Sequence, residues 1–455
     1  MANQSEIQPR PIAIHWMRRD LRLQDNRALL AALSEGNPVQ VVFIFDRMIL
    51  DRLENTRDRR VAFIHQELTK IDIQLRSFGG RLLVGYGNPM DVWREWIKAF
   101  QSNHIDVQSI HIGRDYEPYA QTRDRELADF FESSGVAFKG VKDHVIFEKS
   151  EVTKDDGNPY TVFTPYSKKW RSLLRISDYD EAPSLGGLNT STILPSTAID
   201  WPEIPSLESM GFSWSSASIE TFPERTISKE ILRNYGEHRD IPSIKGTSRL
   251  SVHLRFGTIS IREALRCGLE HSEKWTTELI WRDFYQMIIY HFPHSANESF
   301  RRVYDTIPWV NDEQHFNAWC EGKTGYPLVD AGMRELVQTG FMHNRVRMVV
   351  ASFLCKHLLT DWRWGERFFA EHLMDFDLAS NAGGWQWAAG SGCDAAPYFR
   401  VFNPTAQLTK FDKDFKYVRQ WVPEYGTSDY PDPIVDHAFA RIRAIETYKS
   451  ALKPS

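Results

Sequence analysis

Four short stretches place residues with usable chemistry close together. In "GTSRLSVHLRFG", residues 246–257, the hydroxyls of Thr247, Ser248 and Ser251 cluster at what reads as a helix start, with Arg249 among them. Free N–H groups, hydroxyls and a cation together suit a phosphate, although an ordinary N-cap explains the same residues. In "ELIWRDFY", residues 278–285, Glu278, Trp281, Arg282 and Tyr285 share one helical face by i, i+3, i+4 and i+7 spacing. Ile280, Phe284, Met287 and Ile288 form a separate apolar face. The plainer alternative there is a surface ion pair, Glu278 to Arg282, with the aromatics half-buried. In "FMHNRVRM", residues 341–348, Asn344 and Met348 sit one turn apart. In "DFDLASN", residues 375–381, Asp375 and Asp377 precede Asn381. Two carboxylates lack the third ligand a metal needs, so no metal site is expected. They equally suit the polar edge of a ring, paired with an arginine.

The last stretch runs on into "DLASNAGGWQWAAGSGCD", residues 377–394, where glycines and alanines surround Trp385 and Trp387. Small residues let something flat approach this backbone. One reading uses all four stretches: a flavin pocket, beside a mouth of aromatic residues able to stack a nucleobase.

Such a site needs elements to hold it. At 455 residues and 42% hydrophobic, the chain can bury two cores. A net charge of −5 excludes a generally basic, nucleic-acid-coating protein. Arg334 to Arg367 nevertheless carries six Arg or Lys against three Asp or Glu, a local surplus. Cys267, Cys320, Cys355 and Cys393 are widely spaced, as in a reducing compartment, and make neither a zinc finger nor an iron–sulfur spacing. "MANQSEIQPRP" has no signal-peptide core, and runs such as "MVVASFLC" are too short to cross a bilayer. A soluble, cytoplasmic protein with no membrane partner is expected. Nine of the fifteen tryptophans lie beyond residue 270, as a large aromatic core or a stacking and electron-carrying site would require.

Residues 1–140 alternate strand and helix patterns. "PIAIHWM", "VQVVFIFD", "RLLVGYG", "VQSIHIG" and "VAFKGV" read as five strands, with helices such as Arg57–Ser77 and Met90–Ala99 between them. That predicts a doubly wound parallel sheet, an α/β domain. GxGxxG is absent after the first strand, which argues against a hydride-transfer Rossmann domain. Residues 141–225 are rich in Pro, Gly, Ser and Thr and read as a long connection; 226–455 reads as an all-helical domain. Gly340 is placed to stop a helix, and Pro308 and Pro327 punctuate others.

At these motifs the chain resembles the photolyase–cryptochrome family. The match runs from "RRDLRLQDN" through "GTSRLS", "ELIWRDFY", "EGKTGYPLVDAGMR" and "MHNRVRM" to "NAGGWQWAAGSGCDAAPYFRVFNP", nearly the whole chain. It is most similar to bacterial class I cyclobutane pyrimidine dimer photolyases. The resemblance implies an N-terminal α/β antenna domain and a helical domain holding non-covalent FAD, active when fully reduced. Tyr235 and Thr247, Ser248, Arg249, Leu250 and Ser251 would hold its phosphates and neighbouring groups, with Arg282 a further contact. Arg347 would pair with Asp375 beside the isoalloxazine, Asp377 would meet its polar edge, and Asn381 would face N5. Trp385, Trp362 and Trp309 match the family's electron-carrying chain, and Trp281 and Trp387 the aromatics that sandwich a flipped-out dimer. Glu278, Asn344 and Met348 match its polar and sulfur contacts. Arg282, Tyr285, Arg345, Gln407 and Lys410 fall where DNA contacts are expected.

The partner implied is UV-damaged DNA, double- or single-stranded, met by a monomer that joins the nucleoid when bound. "GRDYEPYAQTRDREL" resembles members whose antenna chromophore is an 8-hydroxy-5-deazaflavin more than those with methenyltetrahydrofolate or FMN. Two relatives compete with the dimer-repair reading. Cryptochrome photoreceptors share the fold but often carry a long C-terminal extension, whereas about thirty residues follow "RQWVPEY" here. The (6-4) photolyases carry two histidines where this sequence has Asn344 and Met348.

Overall fold

The strand β2, Val39–Asp46, is buried at every residue. Only a strand covered on both faces permits that, and such strands belong to parallel sheets flanked by helices. In the computed structural model, which describes residues 9–213 and 222–453, β1 (Arg10–Met17), β2, β3 (Leu82–Gly87), β4 (Ile105–Gly113) and β5 (Ala137–Val141) form one sheet. Its order is β3-β2-β1-β4-β5 and every pair is parallel. The crossovers are α1 (Arg27–Leu33), α2 (Arg59–Ser77), α3 (Pro89–Ser102) and α4 (Pro118–Ser133). The chain winds outward from β1 in one direction and then, after β3, in the other, as the alternating pattern predicts. Trp16 on β1 meets Trp93 on α3 edge-on at 5.4 Å, and Trp93 meets Phe131 on α4 at 5.1 Å, filling one face of the sheet.

Further helices include α5 (Phe163–Leu173), α6 (Lys229–His238), α7 (Ser251–Phe256), α8 (Ile261–His271), α9 (Glu273–His291), α10 (Pro327–Thr339), α11 (Asn344–Ser352), α12 (Trp362–His372), α13 (Leu378–Ala389), α14 (Pro404–Phe411) and α15 (His437–Ala451). Gly340 ends α10 in the left-handed conformation, φ 72°, as its position suggested. A π-helical turn, Phe353–His357, follows α11.

Two compact units are interleaved along the chain. One comprises 1–146, 175–226 and 250–266; the other comprises 147–174, 227–249 and 267–455. The stretch expected to connect two domains, 141–225, therefore contributes to both, and its residues 214–221 lie outside the described part, as do 1–8. It is also not free of periodicity. Phe163, Tyr166 and Trp170 fall on one face of α5 and are buried; the prolines and glycine nearby mask that pattern in the sequence.

Buried charge explains why α7 and the start of α8 belong with the sheet. Arg262 is fully buried, 2.8 Å from Asp25 and 3.0 Å from Asp143, and Arg22 lies 2.6 Å from Asp143. Burial alone would raise the Asp143 carboxyl; Arg22 and Arg262 outweigh it and hold the group well below the usual carboxylate range. Removing any one of these partners would strand a charge away from water. Among the described residues, no helix is long and apolar enough to cross a membrane.

Candidate active site

The site is built on α9, α11 and α13, and α13 packs against both of the others. Asp377 caps α13, accepting the Ser380 N–H at 3.1 Å. Its two oxygens also accept from Gln286 Nε2 at 3.0 and 3.1 Å. The carboxylate fixes which way that amide points, because only its NH2 end can donate. Gln286 Oε1 is left buried with no partner. One turn along α13, Asn381 donates to the Glu366 backbone oxygen at 3.1 Å and its Oε1 at 2.9 Å. Burial pushes the Glu366 carboxyl up, and the Asn381 bond offsets part of that. Arg347, on α11, spans both Asp375 oxygens at 2.9 and 3.1 Å and donates through Nε to the Met342 carbonyl at 2.7 Å. The expected Arg347–Asp375 pair is thus present.

The hydroxyl-rich stretch does not cap a helix. Leu250 occupies the N-cap position of α7 and no side chain bonds there. Ser248 instead accepts from the Trp275 indole N–H at 3.3 Å, and Arg249 adopts a left-handed φ of 52°. Its guanidinium lies 4.3 Å over the Phe341 ring and 3.7 Å from Glu335. Thr247 is half-buried beside Gly246, where a Cβ would sit 2.6 Å from the His238 carbonyl. Tyr235 is buried on α6 with Arg239 stacked 5.2 Å over it. Buried Leu250 and exposed Ser251 fall in the first unit.

On α9, Glu278 is ion-paired to Arg239, and its neighbour Arg282 is half-buried. Trp281 is half-buried too, and its indole lies flat on Phe163. Tyr285 covers Gly383, where a Cβ would come within 2.3 Å of the ring. The flat group against that glycine is therefore a protein side chain; Gly384, the next residue, is exposed and has open space beside its Cα. Trp387 is half-buried, 6.4 Å from Phe402. Asn344 is exposed at the start of α11, and Met348 follows one turn later with Arg345 Nη1 3.7 Å from its sulfur. Phe411 gathers two of the expected DNA contacts: Arg345 lies 4.5 Å and the exposed Lys410 5.1 Å over its ring. Gln407 is half-buried on the same helix, α14.

The three tryptophans of the expected chain are graded in depth. Trp385 and Trp362 are 2% and 1% exposed, with indole N–H groups that have no partner, while Trp309 is only partly buried. Trp385 meets Phe369 at 4.9 Å and Trp319 at 6.1 Å.

Residues 13–185 match the family described as DNA photolyase, and residues 275–428 that described as the FAD binding domain of DNA photolyase. The deoxyribodipyrimidine photo-lyase of a Synechococcus species is 35% identical, with 93% of each chain covered. That of Escherichia coli is also 35% identical, covering 96% of this chain and 98% of its own. The chain belongs to the DNA photolyase family. Among solved structures, a class III photolyase from Agrobacterium tumefaciens has a TM-score of 0.85 at 33% identity, with both chains fully covered. An archaeal photolyase from Sulfolobus tokodaii, solved with two FAD molecules, has a TM-score of 0.79 at 34% identity, covering 96% of this chain and 99% of its own. A Synechocystis cryptochrome has a TM-score of 0.81 at 27% identity, covering 97% and 99%. The parallel five-stranded sheet and the helical FAD-binding part are the architecture of these photolyase structures.

Several residues that contact the expected side chains escaped the motif reading: Phe163 against Trp281, Arg239 with Glu278, Asp240 with Arg345, Gln286 with Asp377 and Glu366 with Asn381. Gln286 alone left a trace in the sequence, as the one polar residue in the run "QMIIY".

Proposed function

We infer that this chain is a deoxyribodipyrimidine photo-lyase that binds UV-damaged DNA and splits cyclobutane pyrimidine dimers with light and bound FAD. The observation that carries the reading is the fixed polar edge on α13, Asp377 and Asn381 with the unpartnered Gln286 oxygen, on a helix that also bears Trp387. A buried acceptor without a donor is costly and suits a ligand N–H. A flavin edge, with its ring N–H and carbonyl groups, has the matching chemistry.

Tyr235, Thr247, Ser248 and Arg249 would hold the phosphates and neighbouring groups, with Arg282 continuing that contact. Asp375, Asp377, Asn381 and Arg347 would hold the ring system, the Arg347 charge favouring an anionic ring. Bound and reduced, FAD supplies one electron under light and recovers it once the cyclobutane ring has opened. The protein's own residues bind and orient. Trp281 and Trp387 stack against the flipped pyrimidines, which cost less to extrude than intact bases. Glu278 and the Asn344 amide hydrogen-bond the lesion, and the Met348 thioether packs against it. Arg345, Gln407 and Lys410, with Arg282 and Tyr285, line the DNA path, and phosphate contacts carry most of the affinity. Trp385, Trp362 and Trp309 resupply electrons from the surface.

An antenna chromophore, a deazaflavin before folate or FMN, is proposed for the first unit, as are class I membership, a monomeric state and a cytoplasmic, nucleoid-associated location.

Oligonucleotides carrying either lesion, lit with blue light and analysed by chromatography, test the function. Repair of a (6-4) product needs a hydroxyl moved between bases, which a titratable group would assist. Asn344 and Met348 do not titrate, and burial pushes His343 down to about 4, neutral at working pH. Thymine cyclobutane dimers should therefore be reversed and (6-4) products left intact. The opposite pattern would make the chain a (6-4) photolyase, and no repair of either would favour a cryptochrome-type photoreceptor.

A further inference from the structure

We propose that Phe163, held in place by Asp394, is the positioning residue that presents Trp281 to the lesion and sets the discrimination between dimer-containing and intact DNA. The proposal rests on the lesion-binding reading above.

The first turn of a helix leaves backbone N–H groups without partners. In α5 the cap position is Val162, whose side chain cannot accept a hydrogen bond. The Phe163 N–H is met instead by Asp394 Oδ2 at 3.2 Å. A carboxylate there also complements the positive end of the helix. With its backbone so tied, the Phe163 ring lies on Trp281 with centroids 3.6 Å apart and planes 4° from parallel. That contact is the closest and most nearly parallel one around Trp281, whose ring also stacks on Tyr285 at 5.5 Å and 29°. Trp281 meets Phe284 at 81°, Phe163 meets Phe284 at 78°, and Phe147 meets Trp170 at 88°, the edge-on contacts that aromatic quadrupoles favour.

Burial divides the pair. Phe163 is 8% exposed, while Trp281 keeps part of its surface open. One face of the indole is covered by protein, and the ring is held before any ligand arrives. An unbacked tryptophan would lose rotamer freedom on binding, a cost that prior immobilisation removes. Asp394 belongs to the segment that leaves α13, the helix carrying Trp387.

The test measures, in the dark and at fixed salt, the affinity of the full-length FAD-loaded protein for a duplex with one thymine dimer and for the same duplex undamaged. Phe163→Leu keeps apolar volume but removes the flat face. It should lose about three- to tenfold in dimer affinity, with intact-DNA affinity and flavin content unchanged. Repair per photon of dimer already bound at saturating protein should stay at the wild-type value. Phe163→Tyr, which keeps the face, should retain wild-type discrimination. Asp394→Ala should follow Phe163→Leu, and Asp394→Asn, which keeps an acceptor, should lose less. Wild-type discrimination in both Phe163→Leu and Asp394→Ala overturns the proposal. So does equal weakening for both duplexes, which marks a merely structural role. Should Phe163→Leu lose its flavin, Asp394→Ala decides by the same ratio. A wild-type protein with no preference for the dimer would instead sink the lesion-binding reading itself.

Discussion

Arg345 and Asp240 form an ion pair at 2.9 Å, with the guanidinium held over Phe411. A cation so paired offers a DNA phosphate little net charge. Asp240→Asn removes the competitor and leaves the arginine in place. It should strengthen binding to undamaged duplex and steepen the dependence of log affinity on log salt by up to about one unit. A titration series over salt concentration checks this, and an unchanged slope would put Arg345 off the phosphate path.

Trp385→Phe should abolish most light-driven reduction of the bound flavin in the presence of an external thiol. Phenylalanine fills most of the buried site beside Phe369 but is far harder to oxidise. Protein reduced chemically beforehand should still repair. Absorbance during blue illumination reports the first effect; wild-type rates would mean that the electron route does not begin at Trp385.

Acid should destabilise the fold through its buried imidazoles. Burial pushes His343 down to about 4 and His357 to about 3. Unfolded histidine titrates near about 6.5, so below that pH the unfolded chain binds protons the folded chain refuses. Stability is full above about pH 6.5 and falls as pH drops through the window below it. His357→Gln, remote from the candidate site, should show a shallower fall of Tm between roughly pH 6.5 and 3 than wild type. Parallel Tm curves for the two proteins would rule His357 out as a contributor.

Gly365→Ala puts two effects in opposition. Alanine in a helix interior normally stabilises by roughly 0.5–1 kcal/mol over glycine. Here the new Cβ would lie 2.1 Å from Trp385 Cη2 and 2.6 Å from Leu354 Cδ2. Overpacking of that kind costs about 1–3 kcal/mol, so the clash should win. Urea unfolding should show a net loss, and combining Gly365→Ala with Trp385→Phe should recover part of it.

Strand patterns and the Gly340 stop were legible because each is written in local residue types, whereas the Arg347–Asp375 pairing, 28 residues apart, came only through the family resemblance. What was not legible depends on partners far along the chain. Glu278 has Arg282 one turn away, and pairs with Arg239, just past the end of α6 and 39 residues back. Gln286 matters through Asp377, 91 residues on. The stretch 250–266 looks helical like its neighbours, yet remote contacts, among them the Arg262 ion pairs with Asp25 and Asp143 and the Leu21 N–H bond to the Phe256 carbonyl, assign it to the sheet-bearing unit. No periodicity carries such information, since burial of a charge is decided by which remote residue arrives to neutralise it.

The Gly365–Trp385 contact also constrains how this chain can drift over generations. Position 365 has no room to grow while an indole occupies 385, and position 385 has room for an indole only while 365 lacks a side chain. A lineage that gives up the tryptophan removes the closest obstacle to a side chain at 365, leaving Leu354 to shift, and one that enlarges 365 first passes through a weakened fold. The two sites should therefore change together among descendants or hold together.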